Sequence, residues 1–241
     1  SAVIHQKDYS MEMTLETRSP LAPEELRTLE EMILYGRSVA RGCRNAFVVL
    51  DMPFMSYQVS PEQALANAGR MMKETGVDGV KLEGGANMAP TIKRMTDVGI
   101  PVMGHIGMTP QSATNFGGFK VQGGTPEGAK KLIEDAKALE AAGVFSIVVE
   151  CVPSGVAKAI TEAVSVPILG IGAGPYVDCQ VLVTQDLLDM YGDFKPKFVK
   201  HFAHVRKAMV DGLNAFHQET VDGTFPTPEF SFNKAVEGYE V

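Results

Sequence analysis

The sequence predicts an α/β fold, a (β/α)8 TIM barrel whose first two strands are poorly represented. From Ala46 onward, short apolar runs alternate with helical segments, the pattern of a parallel sheet joined by crossover helices. Six such runs are visible, and Asp51, Lys81, Glu83, His105 and Glu150 all stand near their C-terminal ends. A barrel carries its active site at those ends. A doubly wound open sheet would place ligands there too, but it usually shows a Gly-rich phosphate loop after its first strand, which this chain lacks. The barrel also requires two strands before Ala46. The whole chain, 1–241, reads as one barrel domain with a C-terminal arm from about residue 221.

Taken in order, Ala2–His5 and Met11–Glu16 could be extended, but neither reads as a buried strand. Leu26, Leu29, Met32, Ile33 and Val39 recur with helical period between Glu24 and Arg41, with Pro23 suited to a first helical position and Gly42 stopping the run. Ala46–Asp51 is a buried-type strand closed by an acid. Ser60, Pro61 and Gln63 start a helix that runs to Gly76. The strand Gly79–Glu83 and a helix from about Asn87 follow, then the strand Pro101–Ile106 and a long glycine-containing loop, Gly107–Gly124. Thr125 and Pro126 open a helix that stops at Gly143. The strand Phe145–Glu150 again ends in an acid, and Ser154 opens a helix to about Val164. The strand Val166–Ile171 enters Gly170-Ile171-Gly172-Ala173-Gly174; a weaker strand, Gln180–Thr184, precedes helical sequence around Lys197–His217. The tail from Val221 carries Pro226, Pro228 and four aromatics, and reads as an ordered arm or partner contact.

A net charge of −7 argues against nucleic acid or an anionic membrane as partner. No apolar run reaches membrane-spanning length and no signal-peptide core is present. Cys43, Cys151 and Cys179 lie far apart without metal-ligand spacing, so reduced thiols in a cytoplasmic protein are expected.

The chemistry centres on Val77–Gly85. On a strand, residues two apart share a face, so Lys81 and Glu83 project together, opposite Val80 and Leu82. Burying both charges is costly unless they pair with each other or bind something charged. Asp51, Glu83 and Glu150 converge from three strands. Two such acids suit a hard cation such as Mg²⁺, which keeps positions open for substrate oxygens, and the third would serve as a base. Lys81 would anchor an anionic group. The plainer readings are a satisfied Lys–Glu pair, a turn role for Asp51 and a hydrogen-bonded core histidine for His105. Gly170–Gly174 would either cradle a phosphate or pack a strand tightly against a helix.

Several runs together resemble a known family. These are Asp51-Met-Pro-Phe-Met-Ser-Tyr57, Val80-Lys-Leu-Glu-Gly-Gly85, Gly104-His-Ile-Gly-Met-Thr-Pro-Gln-Ser112, Phe116-Gly-Gly-Phe-Lys-Val-Gln-Gly123, Glu150-Cys-Val-Pro153 and Gly170–Gly174. In order, and with Pro196–Lys200 and the tail around Phe225–Phe232, they are similar to the ketopantoate hydroxymethyltransferases over roughly Leu29 to Phe232. The resemblance implies a (β/α)8 barrel that uses Mg²⁺ and 5,10-methylenetetrahydrofolate. It implies transfer of a one-carbon unit to 3-methyl-2-oxobutanoate, giving 2-dehydropantoate in pantothenate synthesis. By the same motifs it implies Asp51 and Glu83 as metal ligands, Asp51 and Lys81 at the substrate, Glu150 as proton acceptor, and a homo-oligomer, most often a decamer; the chemistry of such a reaction would further let His105 help position the new hydroxymethyl group.

The start of the chain departs from that family's pattern. The family's second strand ends in Gly-Asp-Ser and supplies a further metal ligand; here only Lys7-Asp8-Tyr9-Ser10 stands in the region. The resemblance therefore leads to the expectation that the working protein has residues this sequence lacks. Two rival readings follow. One is a Mg²⁺-dependent lyase or mutase of the phosphoenolpyruvate mutase and isocitrate lyase group, which a Lys-Lys-Cys-Gly-His-type loop would support, and no such run occurs. The other is a non-catalytic barrel that has lost its N-terminal metal ligand.

Overall fold

The computed structural model describes residues 2–5, 27–112, 120–190, 196–234 and 237–238. By internal contacts the chain divides into two units, Ser1–Thr184 and Gln185–Val241.

In the first unit, six strands run parallel in chain order: β2 (Val49–Asp51), β3 (Gly79–Lys81), β4 (Val102–Gly107), β5 (Ser146–Glu150), β6 (Ile168–Ile171) and β7 (Cys179–Leu182). The strand β1 (Ala2–His5) pairs antiparallel with β7, so the sheet order is β1-β7-β6-β5-β4-β3-β2. Ala2–His5 is thus a strand after all, but at the sheet's edge and against the barrel's direction. Among the described residues no parallel strand precedes β2, in keeping with the poor representation of the barrel's start; Met11–Glu16 and Pro23 lie outside them.

The helices follow their local signals. Thr28 caps α1 (Leu29–Gly42) in a reciprocal pair with Glu31, which places the start five residues beyond Glu24. Ser60 accepts from the Gln63 N–H, with Pro61 first in α2 (Pro61–Thr75); Gly76 ends it in the left-handed conformation. A 3₁₀ turn, Ala86–Met88, leads into α3 (Ala89–Thr96). Thr125 caps α4 (Pro126–Ala141) through the Gly128 N–H, and α5 spans Ser154–Ala163. Strand alternation then sorts the side chains. Leu50, Val80, Leu82, Val102, Ile147, Val149 and Ile168 join the helix residues Met32, Met71, Ile92, Met95, Leu139 and Ile160 in one core. At Gly104 a Cβ would come within 2.8 Å of Leu139, so a bare backbone there lets α4 approach β4. The opposite face holds Val49, Met103, Val148 and Leu169 below, and the charged residues at the C-terminal end.

The second unit follows a short helix, α6 (Thr184–Leu187), at the junction. The helix expected around Lys197–His217 is α7, Val205–Val221. Its start is delayed because Phe202, Val205 and Arg206 donate backbone N–H groups to the carbonyls of Leu187, Leu188 and Asp189, which diverts the chain before the helix begins. Beyond Val221, a 3₁₀ turn spans Pro228–Phe230.

Candidate active site

Register gathers the charged side chains. Asp51 is paired with Lys81 across β2 and β3, Gly107 with Glu150 across β4 and β5, and an isolated bridge joins Gly84 to His105. Asp51, Lys81, Glu83, His105 and Glu150 therefore meet at one end of the sheet, as their strand-end positions predict, and none is more than 8% exposed. Lys81 Nζ donates to Asp51 Oδ1, so the cation expected to share a face with Glu83 also meets the acid of the neighbouring strand. The His105 ring lies between the other two carboxylates, with Nε2 3.2 Å from Glu150 Oε2 and Nδ1 3.9 Å from Glu83 Oε1. Among the described residues, three buried carboxyl groups share this space with one ammonium and one imidazole, and their oxygens are the donors a hard cation takes.

Two residues that periodicity did not single out hold this cluster in place. The Gln111 backbone N–H donates to Glu83 Oε2 at 3.0 Å, and its side-chain amide donates to the Met52 carbonyl at 2.9 Å. The Tyr57 hydroxyl donates to Gln111 Oε1 at 2.7 Å and accepts from the Glu83 backbone N–H at 3.3 Å. Tyr57 is buried; desolvation, and next the nearby Glu83 carboxylate, push its hydroxyl pKa well above the ordinary tyrosine value. Both residues lie in the Asp51–Tyr57 and Gly104–Ser112 runs. The one available signal was thus the motif, since a tyrosine and a glutamine in loops carry no periodic pattern. The loop after β2 is further fixed by Ser56 Oγ donating to the Pro53 carbonyl and Asn67 donating to the Ser56 carbonyl.

Beside the cluster, a cavity of about 340 Å³ opens among the loops after β3 and β4, lined by Gly84, Gly107, Thr109, Gln122, Lys131 and Asp135 among others. The segment Gly170–Gly174 serves packing: a Cβ on Gly170 would come within 2.7 Å of Val177, and one on Gly174, whose φ is +81°, within 2.4 Å of Ser154. Of the long loop Gly107–Gly124, residues 113–119 lie outside the described residues.

A family model described as ketopantoate hydroxymethyltransferase matches residues 23–228. A 3-methyl-2-oxobutanoate hydroxymethyltransferase of Heliobacterium modesticaldum is 58% identical over 205 residues, covering 85% of this chain and 74% of its own. One from Clostridium novyi is 56% identical over the same shares. Among solved structures, phosphonopyruvate hydrolase superposes with a TM-score of 0.51 at 12% identity, covering 88% of this chain and 73% of its own; that likeness speaks to the fold alone.

The Tyr57 hydroxyl is expected to carry measurable stability. Tyr57→Phe removes one donor and one acceptor from a buried network and leaves Gln111 Oε1 without its tyrosine donor. The expected cost is about 1–3 kcal/mol in urea unfolding. A change within about 0.5 kcal/mol, the size usual for a surface substitution, would show that the hydroxyl holds nothing.

Proposed function

This chain belongs to the ketopantoate hydroxymethyltransferase family, and on that premise we propose how its buried cluster performs the reaction. The enzyme is a hydroxymethyltransferase of pantothenate biosynthesis. It moves the one-carbon unit of 5,10-methylenetetrahydrofolate, with water, onto C3 of 3-methyl-2-oxobutanoate, and releases 2-dehydropantoate and tetrahydrofolate. The observation that supports the residue roles most is the convergence of Asp51, Lys81, Glu83, His105 and Glu150 at one buried strand end.

The C3 hydrogen of the keto acid is weakly acidic, so removing it needs a base held against it and a way to spread the resulting charge. Glu150 is the proposed base: its carboxylate is buried, and the His105 imidazole stands 3.2 Å away, close enough to orient it. Lys81 supplies the positive charge for the anionic keto acid. This asks its ammonium to share itself between substrate and Asp51, which it already contacts. Water opens the folate-borne methylene to formaldehyde, both C–N bonds breaking as tetrahydrofolate leaves with its two N–H groups restored; the deprotonated C3 then adds to the formaldehyde carbon, and the new alkoxide takes up the proton held by Glu150. Admitting the one water that is consumed and excluding bulk water favours that step, because bulk water would reprotonate C3.

Asp51 and Glu83 would hold Mg²⁺. They fit it chemically: both are hard oxygen donors, both are buried, and the cluster carries more carboxylate than cationic charge. When bound, the ion would withdraw electrons from the substrate ketone and stabilise the charge developing on its oxygen. The chain's own part is to fix the Glu83 carboxylate through the Gln111 N–H and to keep Asp51 and Lys81 aligned across β2 and β3.

We further propose a cytoplasmic homo-oligomer, most simply a decamer. No helix among the described residues is long and apolar enough to cross a membrane. The proposed arm beyond about residue 221 exposes Phe230 and Phe232, apolar surface that a partner copy would cover.

Four measurements test these readings. Tetrahydrofolate release should require the keto acid, and Glu150→Gln should abolish exchange of the C3 hydrogen in heavy water while leaving keto-acid binding nearly unchanged. Parental exchange in the variant would remove Glu150 as the base. Asp51→Asn should weaken metal-dependent keto-acid binding by calorimetry, and indifference of the parent's binding to chelator would defeat the metal assignment. Light scattering at micromolar concentration should give a multiple of the 26.0 kDa chain mass; the monomer value would contradict assembly.

A further inference from the structure

In the second unit, two histidines turn toward the same carboxylate. His204 Nδ1 lies 2.7 Å from Asp189 Oδ2, and His201 Nδ1 lies 3.4 Å from Asp189 Oδ1. One ligand atom from each of the three residues can be chosen so that all lie within 4.8 Å of one another. In a tetrahedral zinc site, with metal–ligand bonds of roughly 2.0–2.2 Å, neighbouring ligand atoms stand about 3.3 Å apart. The three side chains are therefore already near the spacing that one ion requires, and a small adjustment completes it, the His204–Asp189 pair at 2.7 Å opening slightly to admit the ion.

The backbone holds this arrangement from both sides. Asp189 N–H donates to the Asp186 carbonyl and Met190 N–H to the Gln185 carbonyl, which tightens the turn that presents Asp189. The Phe202 N–H donates to Leu187 at 2.8 Å, Val205 to Leu188 at 3.0 Å and Arg206 to Asp189 at 3.2 Å, which ties the segment bearing His201 and His204 against that turn. Asp189 also adopts φ +53°, a left-handed conformation that glycine would take at lower cost. An aspartate kept there is backbone strain at a place where the side chain has something to do.

We propose that Asp189, His201 and His204 form a binding site for a divalent transition-metal ion of the zinc class. Two imidazole nitrogens and one carboxylate oxygen are the donors that such ions take; Mg²⁺ and Ca²⁺ prefer all-oxygen sets. Arg206 lies within Coulombic reach of Asp189 and works against any cation held by charge alone, which further favours an ion held by dative nitrogen bonds. His204 is largely exposed, so the fourth position faces water. The bound ion clips the turn at Asp189 to the start of α7.

The test is calorimetric titration of the full chain with zinc chloride, alongside His204→Gln, His201→Gln and the double variant Asp51→Asn, Glu83→Gln. The parent should bind zinc. The double variant should keep a zinc site, and each histidine variant should lose that site's affinity by more than about tenfold, the least that loss of even an outer partner of a metal ligand costs. If His201→Gln does not fold, His204→Gln decides, because its side chain is 70% exposed and its loss is tolerable. Equal zinc binding by the parent and His204→Gln, no zinc binding by the parent, or loss of all zinc binding in the double variant would each overturn the proposal.

Discussion

Burying five ionisable side chains at one end of a sheet is the constraint on which the rest of the first unit depends. Each charge removed from water costs several kcal/mol unless partners replace the lost hydration. The fold answers with specific contacts. Lys81 is set against Asp51 by strand register, and His105 stands between Glu83 and Glu150. Gln111 gives Glu83 a backbone N–H, while Tyr57 binds Gln111 and the Glu83 backbone. The loops after β2 and β4 are thus joined through the groups they serve. A loop that drifted would leave a buried carboxylate short of a donor, so the chemistry and the loop conformations stabilise one another.

The sheet makes that density of charge possible because its other face is apolar. Alternation sends Val80 and Leu82 to the helices and Lys81 and Glu83 to the cluster, so a single strand serves both. A one-residue slip of β3 would exchange the two sets, placing two charges in the helix-facing core. The parallel pairing of β2, β3 and β4, and the close seat of α4 on Gly104, hold the register against such a slip.

Much of this was legible in the chain. The acids that end β2 and β5, the caps at Ser60 and Thr125 and the glycine stop at Gly76 each follow from local rules, and the structure places them where those rules point; Gly42, by contrast, is the last residue of α1, whose cap is Cys43. The pairing of Lys81 with Asp51 was not legible, because it depends on which strand lies alongside β3. Tyr57 and Gln111 sit in irregular loops, where no period marks a side chain as buried. The extended character of Ala2–His5 was legible, but its antiparallel pairing with β7 was not, because the partner lies about 175 residues further along the chain. The late start of α7 follows from hydrogen bonds to a turn about fifteen residues earlier, which no local window contains.

The three carboxylates differ in what surrounds them, and that difference is the strongest argument for dividing their work as proposed. Asp51 meets the Lys81 ammonium, and Glu83 accepts the Gln111 backbone N–H. Such neighbours suit acids whose task is to stay charged and hold a cation. Glu150 lies nearest the His105 imidazole, whose Nε2 is 3.2 Å from its Oε2. A base that must accept a proton and later return it is better served by that partner than by a permanent charge, which would oppose one half of the cycle. On this view His105 acts through Glu150, the carboxylate that its Nε2 approaches at 3.2 Å, and stands beside Glu83 at the proposed cation site.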